Sequence, residues 1–216
     1  MIIDASYFLS KDVFIPNAIP QPSIGSNTPS NYDLLIDEIS EREKEALISF
    51  LGFDQYKELS EQFEELMPNV YTFKRTALQK WIDLVDGKDN WKGLRYRLGL
   101  KKVSLISHYV YFHYLAQDFS SYTTTGIVIS DSANSVMQTP NQKQCKAWNK
   151  FVSMANGINR NNSVNCSTFQ NWNGQGIQFG QRDNNELSLY DFMSSNPNDY
   201  DLSYFIIRTV INTFGL

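Results

Sequence analysis

Residues 103–119 read VSLISHYVYFHYLAQDF, and their spacing decides the fold class. On a helical wheel Leu105, Tyr109, Phe112, Ala116 and Phe119 fall on one stripe, at i, i+4, i+7, i+11 and i+14. Val103, Ile106, Val110 and Tyr114 cover a neighbouring face. Polar residues are few: Ser104, Ser107, His108, His113, Gln117 and Asp118. A helix that is apolar on most sides is buried by several partners. The stretch is too mixed and too short to span a membrane. It is expected to be the long central helix of a mostly α fold, a helical bundle packed around it.

Downstream, SSYTTTGIVISDSAN sets β-branched residues around a glycine, which suits a β-like loop or hairpin. TPNQKQCKAWNKFVSMANG then opens a second helix. Thr139 is the expected N-cap, Pro140 the first helical residue and Gln142 the capping-box partner. Its apolar side carries Cys145, Trp148, Phe151, Val152 and Ala155; its polar side carries Lys143, Lys146, Asn149, Lys150 and Ser153.

Upstream, Tyr32, Leu35, Ile36 and Ile39 start a helix, and Ser40 is expected to cap EREKEALISFL with Glu43 as its capping-box partner. Gly52 fits the C′ position. Helices are expected over DQYKELSEQFEELM, with Pro68 just past its end, and from about Val70 to Asp86, ended by Gly87. DGKDNWKGLRYRLGLKK reads as a linker.

The organisation expected from these elements is an extended N-terminal arm over 1–30, a helical core over 31–157, a polar insert over 158–187 and C-terminal helices over 188–216. In the arm, SYFLSKDVFIP suits a strand and NAIPQPSIGSNTPS excludes regular structure. The insert is rich in Asn, Gln and Gly and has few core-forming residues, with a hairpin expected around NWNGQGIQF. YDLSYFIIRTVINTF is expected to form a last helix, apolar all round and therefore buried in the fold or in an assembly.

The 216 residues suffice for one domain with a real core. The start lacks the basic region and apolar segment of a signal peptide. A net charge of −4 and a pI near 5.2 argue against general nucleic-acid binding. Charged residues are 19% and aromatics 14%, which leaves Tyr, Phe and Asn on surfaces, as in proteins that work in contact with other proteins. Cys145 and Cys166 form no disulfide framework, and Cys145 reads as a small core residue. A reducing, cytoplasmic site of synthesis is expected.

Few residues suggest catalysis. His108 and His113 are five apart on one helix, roughly 140° around its axis, so they cannot chelate one metal as an i, i+4 pair does. No phosphate-cradling glycine loop and no nucleophile elbow is present. Glu41/Glu45 and Glu64/Glu65 read as solvated helix faces. No enzyme, cofactor or metal is expected. Lys92, Arg95, Arg97, Lys101 and Lys102, interleaved with Trp91 and Tyr96, are the candidate DNA-facing residues. Their bland alternative is a solvated cationic linker.

The order of LISFLGFDQYKEL, a tryptophan-bearing helix, SHYVYFHYLAQDF, TTTGIVIS and QCKAWNKFV resembles the head–tail connector (adaptor) proteins of tailed bacteriophages, over residues 31–157. The resemblance implies a subunit of a homo-oligomeric ring, commonly a dodecamer, beneath the portal protein. Such a ring joins tail or further neck proteins and extends the channel through which genomic DNA passes. It implies a location in the virion neck, synthesis in the host cytoplasm, no membrane and no catalysis. By the same likeness Thr123, Thr124, Thr125, Gly126, Ile127 and Val128 would form one protein interface. Thr213, Phe214, Gly215 and Leu216 would form a second. The alternatives are another neck, tail or collar protein that binds a fibre or tail component through the insert, and a nucleic-acid module using 92–102.

Overall fold

A computed structural model of the chain describes residues 1–16, 18–19, 31–67, 70–118, 121–123, 126–128, 140–156, 169–170, 176–177, 187–206 and 208. The fold is partly helical, with small antiparallel hairpins. Helix α1 spans Asn31–Ser60 with a break at Gly52, followed by β1 (Phe63–Met67) and β2 (Val70–Phe73), and then α2 (Gln79–Asp86). A second hairpin, β3 (Arg95–Leu98) and β4 (Lys101–Ser104), runs directly into α3 (Leu105–Asp118). Then come β5 (Ser121–Thr123), β6 (Gly126–Val128), α4 (Pro140–Asn156), β7 (Phe169–Gln170), β8 (Gly176–Ile177) and α5 (Leu189–Ser195). Each strand pair is a separate two-stranded antiparallel sheet.

Helix α3 packs against α4, α1 and the N-terminal turns. Ile106 and Val110 are fully covered, Tyr109 and Tyr111 nearly so. The apolar side expected of α4 is the buried one, Cys145 included. Phe151 meets Phe50 of α1 and Tyr109 of α3. One continuous core joins these residues to Trp81 and Leu84 of α2, Met193 of α5, and Ile3, Phe8 and Ile15 of the N-terminal segment.

Several expectations need correction. The strand expected over SYFLSKDVFIP is replaced by two 3-10 turns, Ala5–Leu9 and Lys11–Val13. The Asp4 carboxylate accepts the Ser6 N–H at 2.7 Å, and Ile15 N–H donates to the Phe8 carbonyl at 3.0 Å. This folds the segment onto its own core, burying Ile2, Ile3, Phe8 and Val13. Ser40 lies inside α1 and caps nothing: the buried stripe of Leu35, Ile36 and Ile39 continues unbroken to Glu43, Ala46 and Leu47.

The helix expected over 54–67 stops at Ser60, and the one expected over 70–86 begins at Gln79. Between them Phe63 stacks on Phe73 at 4.4 Å and Glu65 pairs with Tyr71. Cross-strand pairing overrides the helix preference of EELM, and Glu64 and Glu65 therefore lie on a strand. The linker expected over 86–102 is a hairpin in its second half, so the helix expected from Val103 starts at Leu105 and Val103 belongs to β4. Ser104 makes the joint: its hydroxyl donates to the Leu94 carbonyl at 2.6 Å and accepts the Ile106 N–H at 3.1 Å.

Residues 200–206 do not start a helix. The Asp201 carboxylate takes both the N–H and the hydroxyl of Ser203, at 2.8 and 2.9 Å. Such local bonds compete with helical ones. Ile206 N–H donates to the Ser49 carbonyl at 3.2 Å instead. The rest of the arm, most of the insert and 209–216 lie outside the described residues.

Candidate functional site

The N-terminal segment is fastened at two ends. Glu43 points inward from α1, and its carboxylate accepts the N–H groups of Ile2 at 2.8 Å and of Ile3 at 3.1 Å. Burial pushes its pKa up, against the pull of these donors and of the Met1 amine 3.8 Å away. At the other end Arg95 Nε pairs with Asp86 at 2.7 Å while its Nη1 donates to the Ile2 carbonyl at 3.1 Å. Lys102 pairs with Asp4 at 3.2 Å, donates to the Ser6 hydroxyl and lies over the Tyr7 ring. Burial alone would raise the Asp4 carboxyl, but Ser6 and Lys102 more than offset it, so its pKa is lowered.

An open groove of about 370 Å³ lies among this segment, β2 and β3. Tyr7, Tyr71 and Tyr96 line it together with Arg95, Arg97 and Lys102. It gathers part of the candidate DNA-facing set, but unequally. Arg95 and Lys102 are committed to Asp86, Asp4 and the N-terminal backbone. Lys92 lies over Tyr96 at 5.4 Å. Arg97 and Lys101 are exposed near the tip of the β3–β4 hairpin. The five cations therefore do not form one continuous phosphate-binding track.

Among the described residues, that tip carries the most exposed large apolar side chain. Leu98 pairs with Lys101 across a two-residue turn of Gly99 and Leu100. Gly99 has φ 62°, and glycine at the first central position is what a II′ turn asks for. Leu100 is fully exposed and Leu98 is 63% exposed, with Arg97 and Lys101 beside them. The neighbouring β1–β2 hairpin shows Leu66 and Val70 to solvent as well.

At the expected interface over 123–128, the described residues pair in antiparallel strands: Thr123 with Gly126, Tyr122 with Ile127 and Ser121 with Val128. Thr124 and Thr125 lie outside the described residues, as do Thr213, Phe214, Gly215 and Leu216.

His108 is buried, and burial, aided by the charge of Lys150, brings its pKa down to about 4. Its Nδ1 has no hydrogen-bond partner among the described residues. His113 packs its ring on Tyr109 at 4.6 Å and Phe112 at 5.2 Å, and burial lowers its pKa too. No group of three His, Cys, Asp or Glu side chains suited to a metal occurs among the described residues. Among the same residues no helix is long and apolar enough to cross a membrane.

Two features escaped the sequence reading. Glu43 was expected as the capping-box partner of Ser40, and its burial follows only from the closure of the N-terminal segment over α1. The leucines of RLGLKK carried a readable signal: alternation on both sides of a glycine, among charges, marks a hairpin with an apolar tip. No family model, no curated protein and no solved structure matches the chain.

Proposed function

We propose that this chain is a structural virion protein, a head–tail connector subunit that forms a ring beneath a phage portal, extends the DNA channel and joins the tail. In this reading the fold is a helical bundle around α3. The observation that carries it is the order of elements over 31–157. A helix breaks at Gly52 between LISFL and FDQYKEL, and a short helix bearing Trp81 follows. Then come the aromatic helix α3, the antiparallel strands β5 and β6 and the helix bearing Ala147 to Asn149. The β1–β2 and β3–β4 hairpins are additions to the pattern that carries the resemblance. Leucines exposed at both hairpin tips suit a chain that works against other proteins.

The test is co-expression with the portal protein of the same genome, followed by pull-down and negative-stain electron microscopy. A second ring stacked under the portal is the expected result. Portal rings that stay intact and bare overturn the proposal.

A nucleic-acid contact is the second reading, favoured by the exposed Arg97 and Lys101 and by Lys92 over Tyr96. It requires DNA affinity that falls steeply with salt and that R97A/K101A removes. An absence of binding at low salt disposes of it.

A further inference from the structure

The β3–β4 tip sets bare leucine side chains, which water disfavours, beside two cations: Lys101 on the face of its cross-strand partner Leu98, and Arg97 on the opposite face. Two-residue II′ turns match the twist of the flanking strands, so such a tip is a firm projection. Among the described residues Arg97 and Lys101 make no ion pair.

The outer face of α1 is its chemical complement. Leu34, Asp37 and Glu41 fall on one face, at i, i+3 and i+7, all exposed. Ile48, half-exposed, extends that stripe by two further turns, with Glu45 and Lys44 between. Glu45 is held by Arg42 at 2.9 Å, whereas Asp37 and Glu41 make no ion pair among the described residues. The face is therefore an acidic ridge with a leucine at one end and an isoleucine at the other.

We propose that the β3–β4 tip of one chain docks on the outer face of α1 of a second copy. Leu98 and Leu100 would cover Leu34 or Ile48, and Arg97 and Lys101 would pair with Asp37 and Glu41. Two different surfaces meet, so the contact is heterologous, and repetition closes a ring or extends a filament. It deepens the connector reading, on which its biological setting rests, by naming the two surfaces through which subunits touch.

The experiment uses the full chain in sedimentation velocity over a range of concentration and salt, with variants R97E/K101E and D37K/E41K. All four substitutions are at exposed positions, and circular dichroism checks the fold of each variant. Wild-type chain is expected to self-associate more strongly at low salt. Each variant alone should associate about tenfold or more weakly, since like charges then face each other. An equimolar mixture should recover association, because each reversed surface now meets its complement on the other variant.

A wild-type chain monomeric under all conditions, association unchanged in the variants, or no recovery on mixing each overturns the proposal. Binding of wild-type chain to vesicles rich in phosphatidylserine, lost in L98S/L100S, would assign the tip to a lipid surface and overturn it also. Portal capture separates the two proposals. Capture without the charge-dependent self-association leaves the connector reading standing and removes this contact. Charge-swap recovery without any portal capture does the reverse.

Discussion

Glu43 and His108 are buried ionisable side chains whose pKa values move toward their neutral forms, and this gives them opposite signs in a pH titration. Burial holds His108 near 4 against an ordinary 6.5. In that window the unfolded chain binds the proton and the folded chain does not, so stability is full above about 6.5 and is lost as pH falls toward 4. The loss is about 3 kcal/mol at most. Burial raises Glu43, so its contribution is greatest below the usual carboxylate value of 4.5 and fades as pH rises through the elevated one. Urea unfolding of wild type, His108→Leu and Glu43→Gln across pH 4 to 8 checks both signs. His108→Leu should flatten the acid side of the profile, and Glu43→Gln should remove part of the decline toward neutrality. A histidine slope identical in wild type and His108→Leu would show that the loss on acidification arises elsewhere. At this scale the sequence was legible in part for the histidines: apolar neighbours along the helix predict partly buried rings bonded to their surroundings, and His108 is indeed buried, but its Nδ1 has no partner among the described residues. It was not legible for Glu43, because a glutamate amid EREKE looks solvated until a segment 40 residues away supplies N–H donors.

Among the elements, α1 depends on one residue. Gly52 has φ 73° and ψ 170°, a region that residues with a Cβ avoid, and a Cβ there would lie 2.6 Å from the Tyr204 ring. Gly52→Ala should destabilise by about 2 kcal/mol from backbone strain and by more for the clash. Gly99→Ala, with φ 62° and nothing within 4 Å, should cost only the strain, about 1 kcal/mol. Equal midpoints for the two variants in thermal melts would show that the contact with Tyr204 adds nothing. Gly52 was readable as a helix end because a glycine following an apolar run is a common stop signal. The helices at 105–118 and 140–156 were readable from periodicity, and the antiparallel pairing of 121–123 with 126–128 from composition. The β1–β2 hairpin was not: EELM favours a helix in isolation, and only the stacking of Phe63 on Phe73 selects a strand. The first residues of the expected last helix fail for a similar reason, since Asp201 and Ser203 bond each other before a helical turn can form.

For the whole molecule, the N-terminal segment matters most. Ile2, Ile3, Phe8, Val13 and Ile15 are all buried in the common core. Their removal forfeits on the order of 10 kcal/mol of apolar burial, comparable with the total stability of a typical domain. Deletion of 1–16 should abolish cooperative unfolding in urea, whereas a segment merely lying along the surface would leave the midpoint nearly unchanged. Prolines, few charges and no helical period made this stretch look like an extended arm, and the 3-10 turns that fold it inward depend on the Asp4 cap and on Lys102 and Arg95, far away in sequence. The same β4 strand that supplies Lys102 passes into α3 without an intervening loop, locked at Ser104 by bonds to the Leu94 carbonyl and the Ile106 amide. Mechanically that makes a lever with a fixed elbow: about 13 Å of strand joined to about 21 Å of helix. A partner gripping Leu98 and Leu100 thus pulls on α3 itself, and with it α4, so a load applied at the tip is delivered to the interior of the protein instead of being absorbed by slack chain.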